Sequence, residues 1–102
     1  MEVNKLLKDY LDYLEIEKNR SPKTRENYER YLRKFIKDLS IRVLSDITLE
    51  VVRKFRLQLA RTVRHDGDAL KKSTQMYYII AIRNFLKYLI KRDYNVLSPD
   101  KI

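Results

Sequence analysis

Apolar residues return at three- and four-residue steps through four stretches of the chain, the spacing of amphipathic helices. The strongest stretch is Lys72 to Arg92, KSTQMYYIIAIRNFLKYLIKR, where Ile79, Ile82, Leu86 and Leu89 form a stripe that Phe85 and Ile90 widen. No Gly or Pro interrupts it, and Lys91 and Arg92 give the last turn the favourable sign for a helix C-terminus. Ser73 is the expected N-cap, because a side-chain oxygen there accepts from an unpaired backbone N–H of the first turn.

Three shorter stretches precede it. From Val3 to Lys18 the stripe is Leu6, Leu7, Tyr10, Leu11 and Leu14, and the wet side is acidic, with Asp9, Asp12, Glu15 and Glu17. That acidity makes this helix a poor partner for a polyanion. Ser21-Pro22 opens the second helix, since Pro at the first helical position gives up an N–H that lacks a partner anyway. Its inward positions are Tyr28, Tyr31, Leu32, Phe35, Ile36 and Leu39. Thr48 is the N-cap of the third, Leu49 to Thr62, with Ile47 and Val52 placed as a hydrophobic staple and Val52, Phe55 and Leu59 buried.

Between these lie a connector from Ser40 to Asp46 and a stretch from Val63 to Lys71 with the only Gly and the only His. The latter lacks periodicity and reads as a mobile loop. The tail after Arg92 is expected to turn back so that Val96 and Leu97 cap the bundle, with Ser98-Pro99 marking an exit. The pattern predicts one all-α domain over 1–97, followed by a linker start at 98–102.

Length and composition agree with that and add charge. A chain of 102 residues holds one core. The absence of Cys excludes disulfides and thiolate zinc sites and suits a reducing, cytoplasmic setting. No stretch has the uninterrupted apolar length of a membrane span or a signal peptide, so no membrane partner is expected. The formal net charge of +9 points to a polyanion. Residues 1–19 hold more acids than bases, and most of the 23 Lys and Arg fall in 20–42 and 53–92. A basic face follows from that unevenness.

Catalysis has little to stand on. His65 has no second His and no Cys beside it, no Gly-rich phosphate loop exists, and no tyrosine stands out as a nucleophile. A Ser73, His65 and Asp66 set can be drawn on paper, but sequence proximity is not triad geometry. No cofactor is expected.

Anion binding has a better basis at two helix starts, Ser21-Pro22-Lys23-Thr24 and Lys71-Lys72-Ser73-Thr74, where free N–H groups, hydroxyls and ammonium groups converge. Beyond the first start, Asn27, Arg30 and Lys34 follow along the side away from the core, and Arg25 joins the same candidate set. Beyond the second, Tyr77, Asn84, Lys87 and Lys91 do the same. Arg, Asn and Lys read base edges and phosphates, and Tyr77 and Ile80 suit sugars or thymine methyl groups. The expected partner is double-stranded DNA.

Several stretches together resemble the N-terminal core-binding domain of the tyrosine recombinase (phage integrase) family. SPKTRENYERYLRKFI is similar to that family's S-x-x-T-x-x-x-Y-x-x-x-L-x-x-F second helix. LSDITLEVVRKF resembles its L-x-D-I-T segment, and LKKSTQMYYIIAIRNFLKYLIKRDYNVLSP its last helix and exit. The resemblance implies a four-helix orthogonal, SAM-like bundle that forms half of a clamp on duplex DNA through its second and fourth helices. Carried over by position, Thr24, Asn27 and Arg30 face the DNA from one helix, and Ser73, Thr74, Tyr77 and Tyr78 from the other. Strand exchange belongs in that family to a separate C-terminal catalytic domain, whose residues are not in this chain. The implied partners are therefore that domain, duplex DNA and neighbouring recombinase subunits. Two other readings are a helical protein-interaction module and a small stand-alone basic DNA-binding regulator.

Overall fold

The computed structural model describes residues 2–102, and four helices carry it: α1 (Val3–Ile16), α2 (Pro22–Asp38), α3 (Leu49–Ala60) and α4 (Lys72–Lys91). Each apolar stripe becomes a buried face. Leu6, Leu7, Tyr10, Leu11 and Leu14 of α1 meet Leu32, Phe35 and Ile36 of α2, Val52, Phe55 and Leu59 of α3, and Ile79, Ile82, Phe85, Leu86 and Leu89 of α4 in one core. Phe55 is fully buried at its centre, with the Phe35 ring 5.1 Å and the Tyr78 ring 5.9 Å away. Ile90 departs from the expectation. It is exposed, because one turn beyond Leu86 the stripe continues through Leu89 and Ile90 lies on the opposite edge.

The helix starts follow different chemistry. Ser21 caps α2, its Oγ accepting from the Thr24 N–H at 3.2 Å and donating to the Thr24 hydroxyl at 3.1 Å. Thr48 caps α3 by accepting from the Val51 N–H at 3.1 Å, and Ile47 and Val52 flank it in the core. Ser73 does not cap α4. The helix begins one residue earlier, at Lys72, and Lys71 stands at the N-cap without a side-chain bond. The start of α4 is instead tied back through Gln75, whose Nε2 donates to the Leu70 carbonyl at 3.0 Å. Ser73 is thus an exposed residue of the first turn.

At the C-terminal ends of α2 and α4 the chain reverses through Ser40 and Asp93, both left-handed with φ of 55° and 68°. The Ile41 N–H then reaches the Ile36 carbonyl at 2.9 Å and the Tyr94 N–H the Leu89 carbonyl at 3.0 Å, which are Schellman closures.

The connectors are more ordered than their sequences suggest. The Asp46 carboxylate accepts from the Arg42 and Val43 N–H groups at 2.9 and 3.2 Å, and those bonds hold its pKa below the ordinary value. Val3 N–H bonds the Arg42 carbonyl at 2.9 Å, so the start of α1 is pinned to this connector. Between α3 and α4, the stretch read as a loop contains a Val63–Ala69 antiparallel bridge and a turn closed by Gly67 N–H to the Arg64 carbonyl at 2.9 Å. Gly67 takes φ of 91°, and Arg64 pairs with Asp66 across the turn.

The tail folds back as expected, with Val96 and Leu97 packed against the core. Packed structure continues past Ser98-Pro99. Pro99 is buried, a 3-10 turn covers Pro99–Lys101 beside α4, and the Arg83 guanidinium donates to the Ile102 main-chain oxygen. No described helix is long and apolar enough to cross a membrane.

Candidate nucleic-acid interface

α2 and α4 lie side by side and run in opposite senses. Tyr31 of α2 sits against Tyr77 and Tyr78 near the start of α4, with ring centroids 6.5 and 4.7 Å away. One turn back along α2, the Tyr28 hydroxyl accepts from Asn84 Nδ2 at 3.1 Å, nearly two turns further along α4. The start of α2 reaches the groove between them through Thr24, whereas no residue of the Lys71–Thr74 start of α4 lines it.

The groove has two halves that share Thr24 and Tyr28. One half, about 350 Å³, is lined by Thr24, Asn27, Tyr28, Tyr31, Tyr77 and Ile80. It is aromatic and hydroxyl-rich, and Tyr77 is 51% exposed although it is a large ring. Arg30 stands at its margin with the guanidinium 5.1 Å from the Tyr31 ring centre. The other half, about 290 Å³, has Tyr10 and Tyr88 in its floor and Lys18, Arg20, Lys87 and Lys91 around it. Burial raises the Tyr10 and Tyr88 phenols above their ordinary value of 10.0, so both stay neutral at physiological pH.

Of the expected site residues, the structure brings together Thr24, Asn27, Tyr77, Asn84 and Lys87, all lining this groove. Two of them are less free than a helical wheel suggests: Asn27 and Asn84 are half-buried, and Asn84 spends an N–H on Tyr28. Lys23 is exposed beside Ser21 on the first turn of α2, and Thr74 is half-buried on that of α4. Tyr78 is half-buried between Tyr31 and Phe55 and serves packing. Arg25 is occupied, bonding Asp12 at 3.0 Å and Glu15 at 2.9 Å on α1. Lys34 pairs with Asp38 at 2.8 Å. Lys72 lines a different cleft, about 560 Å³, between α3 and α4, with Arg53, Arg56, Leu57 and Met76. Sequence reasoning missed Lys18 and Arg20, which the end of α1 and its turn deliver to the groove. The signal was the change of sign after Glu17, hidden by the acidity of the rest of α1.

The first turns of α2 and α4 contain no acid, whereas α3 carries Glu50 there. The partial positive charge of both groove helices is thus left unneutralised at its source. Among the described residues no group of three or more His, Asp or Glu could hold a metal ion.

Fold and site define a helical bundle with a cationic, aromatic groove between two antiparallel helices. The family model of the phage integrase N-terminal SAM-like domain matches residues 7–93, and the chain belongs to that family. Its role is accordingly DNA binding of the tyrosine recombinase type, in the non-catalytic N-terminal part of integrases. No curated protein and no solved structure matches the chain.

Proposed function

We propose that this domain grips duplex DNA along the α2–α4 groove, on behalf of a tyrosine recombinase whose catalytic domain lies elsewhere in the parent protein. One observation carries the reading: Thr24 and Asn27 of α2 and Tyr77 of α4 line one exposed groove half, in a chain of this family. Ser21, Lys23 and Thr24 anchor a phosphate at the uncompensated start of α2, and Ser73 and Thr74 do so at the start of α4, with Lys72 adding charge from the neighbouring α3–α4 cleft. Asn27, Arg30 and Tyr77 meet base edges and sugars between those anchors. The domain positions DNA and leaves strand cleavage to the catalytic domain. Neighbouring subunits and that domain complete the assembly.

With about five phosphates neutralised, the logarithm of affinity falls with log[salt] at a slope near −4 to −5. Fluorescence anisotropy on a 30-base-pair duplex over a salt series tests this. Absence of binding at about 50 mM salt, or binding indifferent to salt, refutes the DNA reading and favours a protein-interaction module.

A further inference from the structure

The cationic half of the groove holds four basic side chains and no acid. Lys18, Arg20, Lys87 and Lys91 line it together with Thr24 and Tyr28, and no Asp or Glu contributes to its wall, in a chain with 14 acids. None of the four has an ion-pair partner among the described residues. Lys8, Arg25, Arg33, Lys34, Arg64 and Arg92 have carboxylates, and most other Lys and Arg are, like these four, without one; what sets these four apart is that they share one pocket wall. Three separate segments converge to make this pocket, so it is no by-product of one basic helix face. Like charges gathered without a counterion repel one another, and an anion relieves that.

A residue with a hydroxyl, Tyr28, lines the same space. A tyrosine oxygen has one hydrogen to give and lone pairs to accept with. Here Tyr28 accepts from Asn84 at 3.1 Å, and no described acceptor takes the hydrogen that Tyr28 can give. The Asn84 bond uses the oxygen as an acceptor on the α4 side, and its O–H has no described acceptor. The Thr24 hydroxyl, one turn away, accepts from Ser21 and also faces both groove halves. Donors and cations without an acceptor describe a site for phosphate oxygens.

We infer that this pocket is a phosphate site for the duplex backbone, in which Lys18, Arg20, Lys87 and Lys91 supply charge, Tyr28 donates its hydroxyl hydrogen, and Asn84 is the positioning residue that holds Tyr28. The inference rests on the DNA reading above and adds a contact far from the start of α4. It also moves Asn84 from reading bases to orienting a donor.

The test uses the whole chain and the same 30-base-pair duplex. Changing Lys18, Arg20, Lys87 and Lys91 together to Gln is expected to make the salt slope shallower by about 1 to 2, as one or two phosphates are lost. The Lys87→Gln/Lys91→Gln pair, on the exposed face of α4, serves if the fourfold variant does not fold. Tyr28→Phe keeps the ring and is expected to weaken binding about tenfold with the slope unchanged. Asn84→Leu should give a similar loss, and the double variant should be no weaker than Tyr28→Phe alone, a coupling that a stability defect does not produce. If the unaltered chain binds with its steep slope and the charge variants match it, the pocket is wrong while the DNA reading stands. Additive losses from Tyr28→Phe and Asn84→Leu overturn the positioning role. If inorganic pyrophosphate displaces duplex at micromolar concentration through these same lysines, the site takes small free phosphates and the backbone assignment falls. Failure of the unaltered chain to bind duplex removes the reading beneath it.

Discussion

Arg25 and Arg20 stand five residues apart and live in opposite electrostatic surroundings. Arg25 lies against α1, held by Asp12 and Glu15, which keep its guanidinium charged and are themselves neutralised by it. Arg20 lies at the groove with Lys18, Lys87 and Lys91 and no carboxylate. One is a strut between two helices, and the other is a free charge. The formal +9 counts them equally. On the reading proposed above, the cations that matter are those gathered in the groove, and the acids of α1 withdraw from that set the α2 side chain nearest to them.

The contrast can be broken at its foundation first. Phe55→Ala removes the ring that supports Phe35 of α2 and Tyr78 of α4, and urea denaturation is expected to show a loss of about 3–5 kcal/mol. Both surroundings then disappear together, and duplex binding with them. A smaller change separates the two helix starts. Ser21→Ala is expected to cost about 1 kcal/mol, because it deletes a real cap, while Ser73→Ala should stay within about 0.5 kcal/mol, because Ser73 caps nothing.

The sharpest version exchanges the two arginines' roles. Arg25→Gln should lower the melting midpoint by less than about 4 °C and leave the salt slope of duplex binding alone. Arg20→Gln should leave the midpoint unmoved and make the slope shallower by up to about 1. A matched response of both variants in both measurements erases the distinction. A pH series then isolates the strut. The Arg25 hydrogen bond holds the Asp12 carboxyl below its ordinary value of 3.8. A carboxylate depressed in the folded state contributes stability that is present above the unfolded value and lost as the pH falls through the folded one. Stability should therefore decline below about pH 4, and the Arg25→Gln variant should lose less over that interval. Asp46, held down by two backbone N–H groups, and Asp66, held down by Arg64, add to the acid-side loss in both proteins. The smallest expected effect is a gain. Asp93→Gly relieves a left-handed non-glycine residue at the end of α4 and should stabilise by about 0.5–1 kcal/mol.

Much of this architecture was legible in the residue order. Ser21-Pro22 and Thr48 placed two helix starts, because each offers a single cap with no competitor beside it. The stripes of α1, α3 and α4 named most of the core, because a 3.6-residue repeat has one solution on a long helix. The start of α4 misled because Lys71, Lys72 and Ser73 form a row of acceptable beginnings, and the choice fell to the reach of Gln75 back to Leu70. Site residues were harder. A wheel assigns a side of one helix but says nothing of its neighbour, so it could not show that Asp12 and Glu15 occupy Arg25, or that Tyr28 engages Asn84. Nor could it show that α2 and α4 run in opposite senses, which sends Lys72 to the α3–α4 cleft and brings Lys18 and Arg20 to Lys87 and Lys91.

The bond between Tyr28 and Asn84 also acts as an index mark for two helices that otherwise meet largely through rings and aliphatic groups. Greasy surfaces tolerate sliding, since one apolar neighbour replaces another at little cost. A slip of one helical turn, about 5.4 Å, would set Tyr28 against Ile80 or Tyr88 and strand the Asn84 amide without its acceptor. The bond makes one register the only comfortable one. It thereby fixes the span from Thr24 to Lys91 and the spacing at which the groove can measure out a ligand.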